Sequence, residues 1–363
     1  MRRADGSILL VDNFLSGSGR NMSASEELAV QLRRSGWTVF TASSVPGRLS
    51  KAMDMVGTAW KLRKHYDAAN VAVYSGDAFR WAEAACWMLR RAGKPYLLTL
   101  HGGGLPNFAA RHRRRTIRLL ETAAAVNAPS EYLGREMRPY RPDLNVVPNA
   151  IDLNRVPFRL RATPGPRLVW LRSFHRLYNP ALAVRALARL SAEFPSASLV
   201  MLGNDKGDGS LQETRRISRH LSVAGRVEFP GKCPKEAVPL WLNRGDILLN
   251  TPDTDNTPVS VIEAMACGLC IVSTNVGGLP DLIVDREDGL LVNRGDVNGM
   301  AQAIRRILTE PGLAARLSSN ARRKAERFDW RVIRPKWEEM FQAISQSGSR
   351  PQITERVNDV ALG

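Results

Sequence analysis

The chain has 363 residues, of which 44% are hydrophobic and 24% charged, and its formal net charge is +17 at pH 7. A chain of this length can form two domains, each with its own core. It contains no run of about eighteen or more apolar residues, which excludes a conventional membrane-spanning helix. Because the N-terminal segment leads into a short strand without a signal-peptide core, we expect a cytoplasmic protein.

The first half of the sequence alternates between two kinds of apolar pattern. Short apolar runs, typical of buried parallel strands, occupy residues 7–11, 37–41, 71–75, 96–100, 124–127 and 145–147. Segments with helical spacing lie between them, at residues 22–34, 49–65, 78–91 and 109–120. Parallel strands joined by crossover helices form a doubly wound sheet, so residues 1–155 are predicted to be one such domain.

The same alternation restarts in the second half. Strand-like runs occupy residues 168–172, 198–202, 226–229, 246–250 and 270–273, with helical segments at 180–190, 211–221, 236–242 and 259–267. Residues 148–166 contain four prolines and are predicted to connect two domains. Ligands of open parallel sheets bind beyond the carboxyl ends of the strands, so two such domains predict a binding cleft between them.

The most informative segment carries two carboxylates eight residues apart, Asp255 and Glu263. Glu263 lies in an apolar run, where an ionised carboxylate is costly unless hydrogen bonds replace its water. A vicinal diol would supply such bonds, and the structural alternative is a backbone N–H or an internal arginine. Thr257 is predicted to cap a helix with Pro258 at its first position, which would direct free amides at a phosphate.

This segment resembles the signature of the family 4 glycosyltransferases, which have the GT-B fold. The signature has two acidic residues separated by seven, then Ala-Met-Ala-x-Gly and Gly-Gly, which correspond here to Asp255, Glu263 and residues 264–268 and 277–278. The resemblance implies two Rossmann-like domains that face each other across a cleft. It also implies a second domain of residues 156–329, a helix of residues 330–345 that crosses back to the first domain, and a flexible tail of residues 346–363.

The resemblance further implies a hexosyltransferase that acts with retention of configuration. The donor would be a nucleotide diphosphate sugar, such as a UDP- or GDP-sugar, and the acceptor a hydroxyl group in glycan, polysaccharide or glycolipid synthesis. In the family the second carboxylate holds the ribose and the first lies near the donor sugar, roles that fall to Glu263 and Asp255. Family members usually have Glu at the first position, so the shorter Asp255 leaves the donor sugar open.

Further candidate site residues lie at strand ends and glycine turns. Arg172 ends a strand and suits a diphosphate, and Arg176 is predicted to replace a Lys that the family usually has nearby; a solvated surface arginine is the alternative for each. The predicted catalytic residues are His101, Arg172, Asp255 and Glu263; the predicted donor-binding residues are Arg172, Arg176, Gly203, Asn256, Thr257, Pro258, Val259 and Glu263; the predicted acceptor-side loops contain Gly17, Gly19, Gly102 and Gly103. Gly277 and Gly278 are predicted to offer amides to phosphate.

The sequence predicts neither a metal ion nor a cofactor. Asp253 and Asp255 have the spacing of a metal-binding pair but overlap the carboxylate signature, so arginines and helix amides are predicted to neutralise the leaving diphosphate. Cys267 and Cys270 have the spacing of a redox or zinc pair, but no second pair lies nearby. The four cysteines form no disulfide framework, which agrees with a reducing compartment.

The net positive charge points to an anionic partner. Leu49, Met53, Val56 and Trp60 fall on one helical stripe next to basic residues, which predicts either contact with an anionic membrane, at its inner face, or packing on the sheet. The resemblance adds a glycan or lipid-linked acceptor. The alternative class is a non-catalytic protein that binds a polyanion, although no nucleic-acid module is visible and no specific nucleic acid is expected. A nicotinamide-dependent oxidoreductase would need a third glycine after the first strand, which is absent.

Overall fold

Two parallel sheets of six strands each follow one another along the chain in the computed structural model, which describes residues 6–12, 14, 23–42 and 48–346. The predicted loop residues Gly17 and Gly19 and residues 347–363 of the predicted tail lie outside the described ranges. The two sheets, each with helices on both faces, are the doubly wound architecture that the alternating patterns predict.

The first sheet has the strand order β2-β1-β3-β4-β5-β6, and every neighbouring pair is parallel. Its strands are β1 (Ser7–Val11), β2 (Thr38–Ala42), β3 (Ala68–Val73), β4 (Tyr96–Leu100), β5 (Ala125–Ala128) and β6 (Asn145–Val146). Its helices are α1 (Ala24–Arg34), α2 (Arg48–Lys61), α3 (Asp77–Arg91), α4 (Leu105–Arg111), α5 (Arg113–Glu121) and α6 (Glu131–Met137). Helices α2 to α6 pack on one face of the sheet and α1 packs on the other.

The second sheet has the order β12-β11-β10-β7-β8-β9, again with parallel neighbours. Its strands are β7 (Arg167–Leu171), β8 (Ser198–Leu202), β9 (Val227–Gly231), β10 (Ile247–Asn250), β11 (Cys270–Thr274) and β12 (Leu290–Val292). The helices are α7 (Pro180–Leu190), α8 (Ser210–His220), α9 (Val238–Asn243), α10 (Val259–Cys267), α11 (Leu279–Leu282), α12 (Val297–Thr309), α13 (Leu313–Ala325) and α14 (Trp330–Gln346).

Local sequence explains where several of these elements begin and end. Ser23 caps α1 in a capping box with Glu26, which satisfies two amides of the first turn. Strands β3 and β4 are buried along their whole length, as apolar runs in the middle of a parallel sheet require. Helix α10 ends at Gly268, whose φ of 79° lies in the left-handed region that glycine tolerates.

Several details differ from the sequence-based prediction. Strand β3, predicted at residues 71–75, lies at Ala68–Val73, and the four-residue helix α11 was not predicted. The helix predicted at residues 109–120 is two helices, α4 and α5, because His112 leaves the helical conformation with φ of −125° and ψ of 42°. Helix α6 and strand β12 were not predicted, and both are short, with seven and three residues. Too few apolar positions fall within such lengths for a periodicity to appear.

The connection between the sheets is attached to the second domain by a buried arginine. The side chain of Arg161 is fully buried, and its Nη2 donates to Asn243 Oδ1 at 2.9 Å and to the Gly245 carbonyl at 3.0 Å. Its Nε lies 3.6 Å from a carboxylate oxygen of Asp246, and burial lowers the pKa of Arg161 to about 10. Residues 159–161 therefore belong physically to the second domain.

The last helix, α14, returns to the first domain. Trp330, Ile333, Trp337, Phe341 and Ile344 from this helix share a core with Ile8, Leu10, Leu28, Trp37 and Leu97 of the first domain. From residue 48 to residue 346 the chain thus crosses between the domains twice, and the crossings lie side by side. The Ile151 amide donates to the Phe328 carbonyl at 2.9 Å, and the Trp330 amide donates to the Ile151 carbonyl at 3.1 Å.

Candidate active site

A cleft of about 1270 Å³, open to solvent, lies between the two domains. In each sheet it lies where the strand order reverses, which is the usual ligand position in such folds. Its polar lining includes Glu27, Asn70, Thr99, His101 and Asn127 of the first domain and Arg172, Ser173, Asn204, Lys235, Ser260 and Glu263 of the second.

Helix α10 presents Glu263 to this cleft. The helix begins at Val259 with Pro258 as its N-cap residue, so the prediction that Thr257 caps it and Pro258 is its first residue is wrong by one position. Pro258 has an extended conformation, with ψ of 121°, and therefore stays outside the helix. Val259 and Ser260 of the first turn also line the cleft, as does Glu263 about one turn further.

The carboxylate of Glu263 faces the cleft without a hydrogen-bond partner in the described part of the chain. Within the described ranges, neither a side chain nor an amide donates a hydrogen bond to it. Burial raises its pKa from 4.5 to about 7; the charge of Lys235 lowers this pKa, and that of Glu27 raises it. The arrangement differs from a structural glutamate tied to an arginine and leaves both carboxylate oxygens for a ligand.

Arg172 and Asp255 form an ion pair at the end of β7. Arg172 Nη2 donates to Asp255 Oδ2, and the guanidinium carbon lies 4.3 Å from the ring centroid of Tyr178. Arg172 lines the cleft, and its buried Nε has no partner among the described residues. Asp255 is 10% exposed and lies behind Arg172, outside the cleft lining. The ion pair orients a cation that can act on an anionic ligand.

The glycine pair after β11 supports the segment that carries Asp255. A Cβ atom on Gly277 would lie 2.0 Å from the Asp255 carbonyl oxygen, and one on Gly278 would lie 2.5 Å from that of Asn256. The Gly278 amide donates to the Asp255 carbonyl at 3.1 Å. The prediction that both glycines offer amides to phosphate is therefore wrong for Gly278, whose amide is already bonded.

Several predicted donor-binding residues lie outside the cleft lining. Asn256 is buried and its Oδ1 accepts a hydrogen bond from Ser130 of the first domain, so it joins the two domains. Thr257 and Pro258 precede the helix without lining the cleft. Arg176 is exposed in a turn of 3₁₀ helix, where its amide donates to Asp208 Oδ2 at 2.7 Å. Arg176 is therefore a solvated surface arginine, which was the alternative to a role in diphosphate binding.

Gly203 lines the cleft on the second domain and allows two loops to approach each other. Its φ is 151°, and a Cβ atom there would lie 1.7 Å from the carbonyl oxygen of Arg172. The loop after β8 can therefore pack against the loop that carries Arg172 only with glycine at this position.

His101 lies on the first-domain wall, opposite these residues. Its imidazole stacks on Tyr74 with ring centroids 4.9 Å apart and an interplanar angle of 17°. Burial lowers the pKa of His101, while the charge of Asp12 raises it. Its buried Nε2 has no hydrogen-bond partner among the described residues. Gly102 and Gly103 follow in a turn outside the lining, and Gly102 has φ of 85°.

Sequence reasoning missed a row of polar side chains on the first sheet. Thr99 Oγ1 donates to Asn70 Oδ1 at 2.7 Å, and Asn127 lies next to Thr99 in the strand register. All three line the cleft and are almost fully buried. These residues could have been found from the sequence, because each is an amide or hydroxyl side chain inside an otherwise apolar parallel strand.

The cysteine pair lies in the core of the second domain. Cys267 and Cys270 are buried free thiols, and burial raises the pKa of each to about 12, which is typical of unreactive cysteines. Within the described part of the chain, no group of three or more His, Cys, Asp or Glu side chains is placed to hold a metal ion. None of the helices in that part is long and apolar enough to cross a membrane.

Two facing doubly wound domains with a cleft between their carboxyl edges define a class of enzyme fold, GT-B. Solved structures share it: sucrose-phosphate synthase from Thermosynechococcus elongatus has a TM-score of 0.78 and 20% identity over 94% of this chain and 100% of that chain. HepE of Anabaena, solved in complex with UDP and glucose, has a TM-score of 0.76 and 18% identity over 93% of this chain and 100% of that chain. The predicted fold class is confirmed.

Sequence comparisons identify the family. The model described as "Glycosyltransferase Family 4" matches residues 23–155, and that described as "Glycosyl transferases group 1" matches residues 159–324. The chain belongs to the family 4 glycosyltransferases. The D-inositol 3-phosphate glycosyltransferase of Rhodococcus jostii is 30% identical over 251 residues, covering 64% of this chain and 55% of that protein. The glycogen synthase of Mycobacterium tuberculosis is 26% identical over 213 residues, covering 58% and 51%. The chain spans about half the length of these relatives.

Proposed function

We propose that this protein transfers a hexosyl group from a nucleotide diphosphate sugar, such as a UDP- or GDP-sugar, to an acceptor hydroxyl with retention of configuration. The observation that carries the proposal is the carboxylate of Glu263, which faces the cleft without a hydrogen-bond donor among the described residues. A ribose diol supplies two such donors. The likeness to HepE, which was solved with UDP and glucose, supports a nucleotide in this cleft.

Different residues of the second domain bind different parts of the donor. Glu263 accepts hydrogen bonds from the ribose hydroxyls, and the free amides at the start of α10, near Val259 and Ser260, face the diphosphate. Arg172 adds a charged donor, held in place by Asp255 and by the ring of Tyr178. As the bond to the sugar breaks, negative charge grows on the leaving diphosphate, where these groups are already oriented.

The first domain contributes the acceptor side. His101 lies across the cleft, and its lowered pKa keeps the imidazole neutral near pH 7, so it can donate or accept a hydrogen bond. In the retaining reaction the acceptor hydroxyl attacks on the face that the diphosphate leaves, and its proton passes to a departing phosphate oxygen. Arg172 and the helix amides supply the positive charge in this scheme, which requires no divalent metal.

The test is a binding and turnover screen with purified protein. UDP-, GDP- and ADP-sugars should each be tested by thermal shift, since a donor at about one hundred times its dissociation constant stabilises by about 2.7 kcal/mol. Nucleoside diphosphate release should then be measured with the donor that binds. Glu263→Gln should reduce turnover at least about a hundredfold, while Glu287→Gln on the exposed surface should not. A protein that binds polyanions but no nucleotide sugar would overturn the proposal.

Metal independence has a separate test. Turnover should survive prolonged treatment with EDTA, because the positive charge on the diphosphate comes from the protein. Complete loss of activity in EDTA, restored by one divalent ion, would contradict this part of the proposal.

We also propose that the outer face of α2 and α3 contacts an anionic membrane, which would bring a lipid-linked acceptor to the enzyme. Met55 and Ala59 of α2 face the core, whereas Met53 and Trp60 are 69% and 43% exposed. The described members of the predicted apolar stripe thus turn largely away from the sheet. On α3, Trp87 is 48% exposed.

Basic side chains surround these exposed apolar groups. The guanidinium of Arg63 lies 4.0 Å from the ring centroid of Trp60, and that of Arg91 lies 5.3 Å from Trp87. Lys61, Lys64 and Arg90 are exposed at the same ends of the two helices. An aromatic ring that inserts among headgroups next to cations suits an anionic bilayer. The protein would then act at the inner face of the membrane.

A further inference from the structure

One ion pair crosses the cleft from one domain to the other. Lys235 follows β9 and begins a turn of 3₁₀ helix in the second domain, while Glu27 lies in the first two turns of α1. Lys235 Nζ is 2.6 Å from Glu27 Oε1, and the side chains are 27% and 18% exposed. Both residues line the cleft. The pair therefore joins the two walls at the site where a ligand would lie.

The Lys235–Glu27 ion pair and Glu263 line the same cleft. Lys235 lowers the pKa of the Glu263 carboxyl group and Glu27 raises it, so the three charges act on one another. A nucleotide diphosphate that reaches Glu263 therefore brings its negative charge close to Lys235.

The second domain lacks the second arginine that the sequence predicts for the diphosphate. Arg172 lines the cleft, but Arg176 is exposed outside it. Lys235 lies on the same wall as Arg172, on a different loop, and its counterion in the described structure comes from the opposite domain. Lys232 of the same loop also lines the cleft.

We propose that Lys235 contacts the donor diphosphate in the role predicted for Arg176, and that Glu27 holds Lys235 until the donor displaces it. The inference rests on the proposed function. A partly exposed carboxylate–ammonium pair is weak, whereas a phosphate group offers several acceptors and more charge. Glu27 therefore competes with the donor, and donor binding breaks one bond between the domains.

If Glu27 competes with the donor for Lys235, substitutions of Lys235 and of Glu27 should have opposite effects on the affinity for a nucleoside diphosphate. Binding of UDP and GDP to the full-length protein should be measured by calorimetry at low salt, with uridine and guanosine as uncharged references. Lys235→Met should raise the dissociation constant of the diphosphate that binds by about tenfold or more, since it removes a charged hydrogen bond. Glu27→Gln should lower it by about two- to fivefold, the equivalent of a partly exposed ion pair. Neither variant should change nucleoside binding.

Matched controls separate this effect from net charge. Lys206→Met and Glu121→Gln make the same charge changes at exposed positions outside the cleft and should leave binding unchanged. In the Lys235→Met background, Glu27→Gln should have no further effect, because its partner is gone. Lys235→Arg should retain binding, which would show that a loss in Lys235→Met does not come from misfolding.

The remaining outcomes distinguish a failure of the Lys235–Glu27 inference from a failure of the proposed glycosyltransferase function. Diphosphate binding by the wild type that Lys235→Met leaves unchanged overturns this inference and leaves the proposed function standing. The idea that Glu27 competes with the donor for Lys235 is overturned if Glu27→Gln weakens diphosphate binding. It is also overturned if Glu27→Gln has the same effect in the wild type and in the Lys235→Met variant. A wild type that binds neither UDP nor GDP rejects the proposed function for these donors and the inference with it.

Discussion

Burial in the cleft raises the pKa of the Glu263 carboxyl group from 4.5 to about 7. In the unfolded chain this group ionises near its ordinary pKa, so between these pH values the unfolded state has released a proton that the folded state still holds. The stability of the fold therefore falls as pH rises through this window, and it stays at the lower level above about pH 7. The same residue thus lowers stability while it prepares a binding site.

Glu263→Gln should separate these two effects. At pH 8 the variant should be more stable than the wild type by about 1–3 kcal/mol, because it removes a buried charge. At pH 5 the difference should approach zero, since the wild-type carboxyl group is then protonated in the folded protein. Donor binding should be weaker at both pH values. Thermal unfolding at the two pH values measures the first effect, and a variant less stable than the wild type at pH 8 would show that a protein group stabilises the carboxylate.

At the scale of elements, the site depends on loops that touch one another. The loops after β7 and β10 supply Arg172 and Asp255, and helix α10 supplies Glu263. Gly203 and Gly277 let these loops and their neighbours approach to distances that no larger residue permits. The geometry of the Arg172–Asp255 pair is therefore set by backbone contacts between loops that follow four strands, β7, β8, β10 and β11.

Gly277→Ala should disturb this geometry. The new Cβ would lie 2.0 Å from the Asp255 carbonyl oxygen, so the loop must move and Asp255 must move with it. We expect a loss of about 2 kcal/mol or more in stability and at least about a tenfold loss in turnover.

Gly295→Ala is the matched control for Gly277→Ala. Gly295 also has a positive φ, of 71°, but a Cβ atom added there would have no neighbouring atom within 4 Å. Only backbone strain of about 1 kcal/mol is therefore expected, and turnover should be unchanged. Equal turnover in both variants would show that contact with the Asp255 loop does not matter.

Helix α14 ties the end of the chain to the first domain. Phe341 is fully buried against Trp37 and Trp337, with ring centroids 5.9 and 5.7 Å away. Phe341→Ala should reduce the free energy of unfolding by about 3–5 kcal/mol, since it leaves a cavity between the helix and the sheet.

Gln342→Ala, at the next and exposed position, should change stability by less than about 0.5 kcal/mol. Urea unfolding followed by tryptophan fluorescence measures both variants. A small effect of Phe341→Ala would show that α14 adds little to the first domain.

At the scale of the whole molecule, the two-domain fold could be predicted because each buried parallel strand is a short apolar run that is recognisable in the sequence. Strand β3, for example, is apolar at every position except Asn70. Elements without a local pattern were missed, such as β12 with three residues.

The site was predictable only where its parts are close in sequence. Asp255 and Glu263 share one segment with the family signature, whereas Glu27 and Lys235 come from different domains and no local pattern joins them. The position of Arg176 depends on the direction of a loop, which Asp208 helps to fix through a hydrogen bond to the Arg176 amide. Such long-range contacts have no periodicity along the chain.

The uneven distribution of charge and exposed aromatic groups predicts where a membrane binds. The protein should sediment with vesicles of phosphatidylglycerol at low salt and not with phosphatidylcholine, and binding should weaken as salt rises. Replacing both Trp60 and Trp87 with Ser should weaken binding. Leu240→Ser, which removes a 68% exposed apolar side chain from the second domain, should not. Absence of binding to anionic vesicles at low salt would end this proposal.

The paired crossings near Ile151 and Phe328 restrict how the two walls of the cleft can move. Because the two segments are hydrogen-bonded to each other, a rotation of one domain must bend both at the same place. Bending at this contact changes the angle between the two walls of the cleft. A molecule that touches both walls then selects a value of that angle, and the distance from acceptor to donor follows from it.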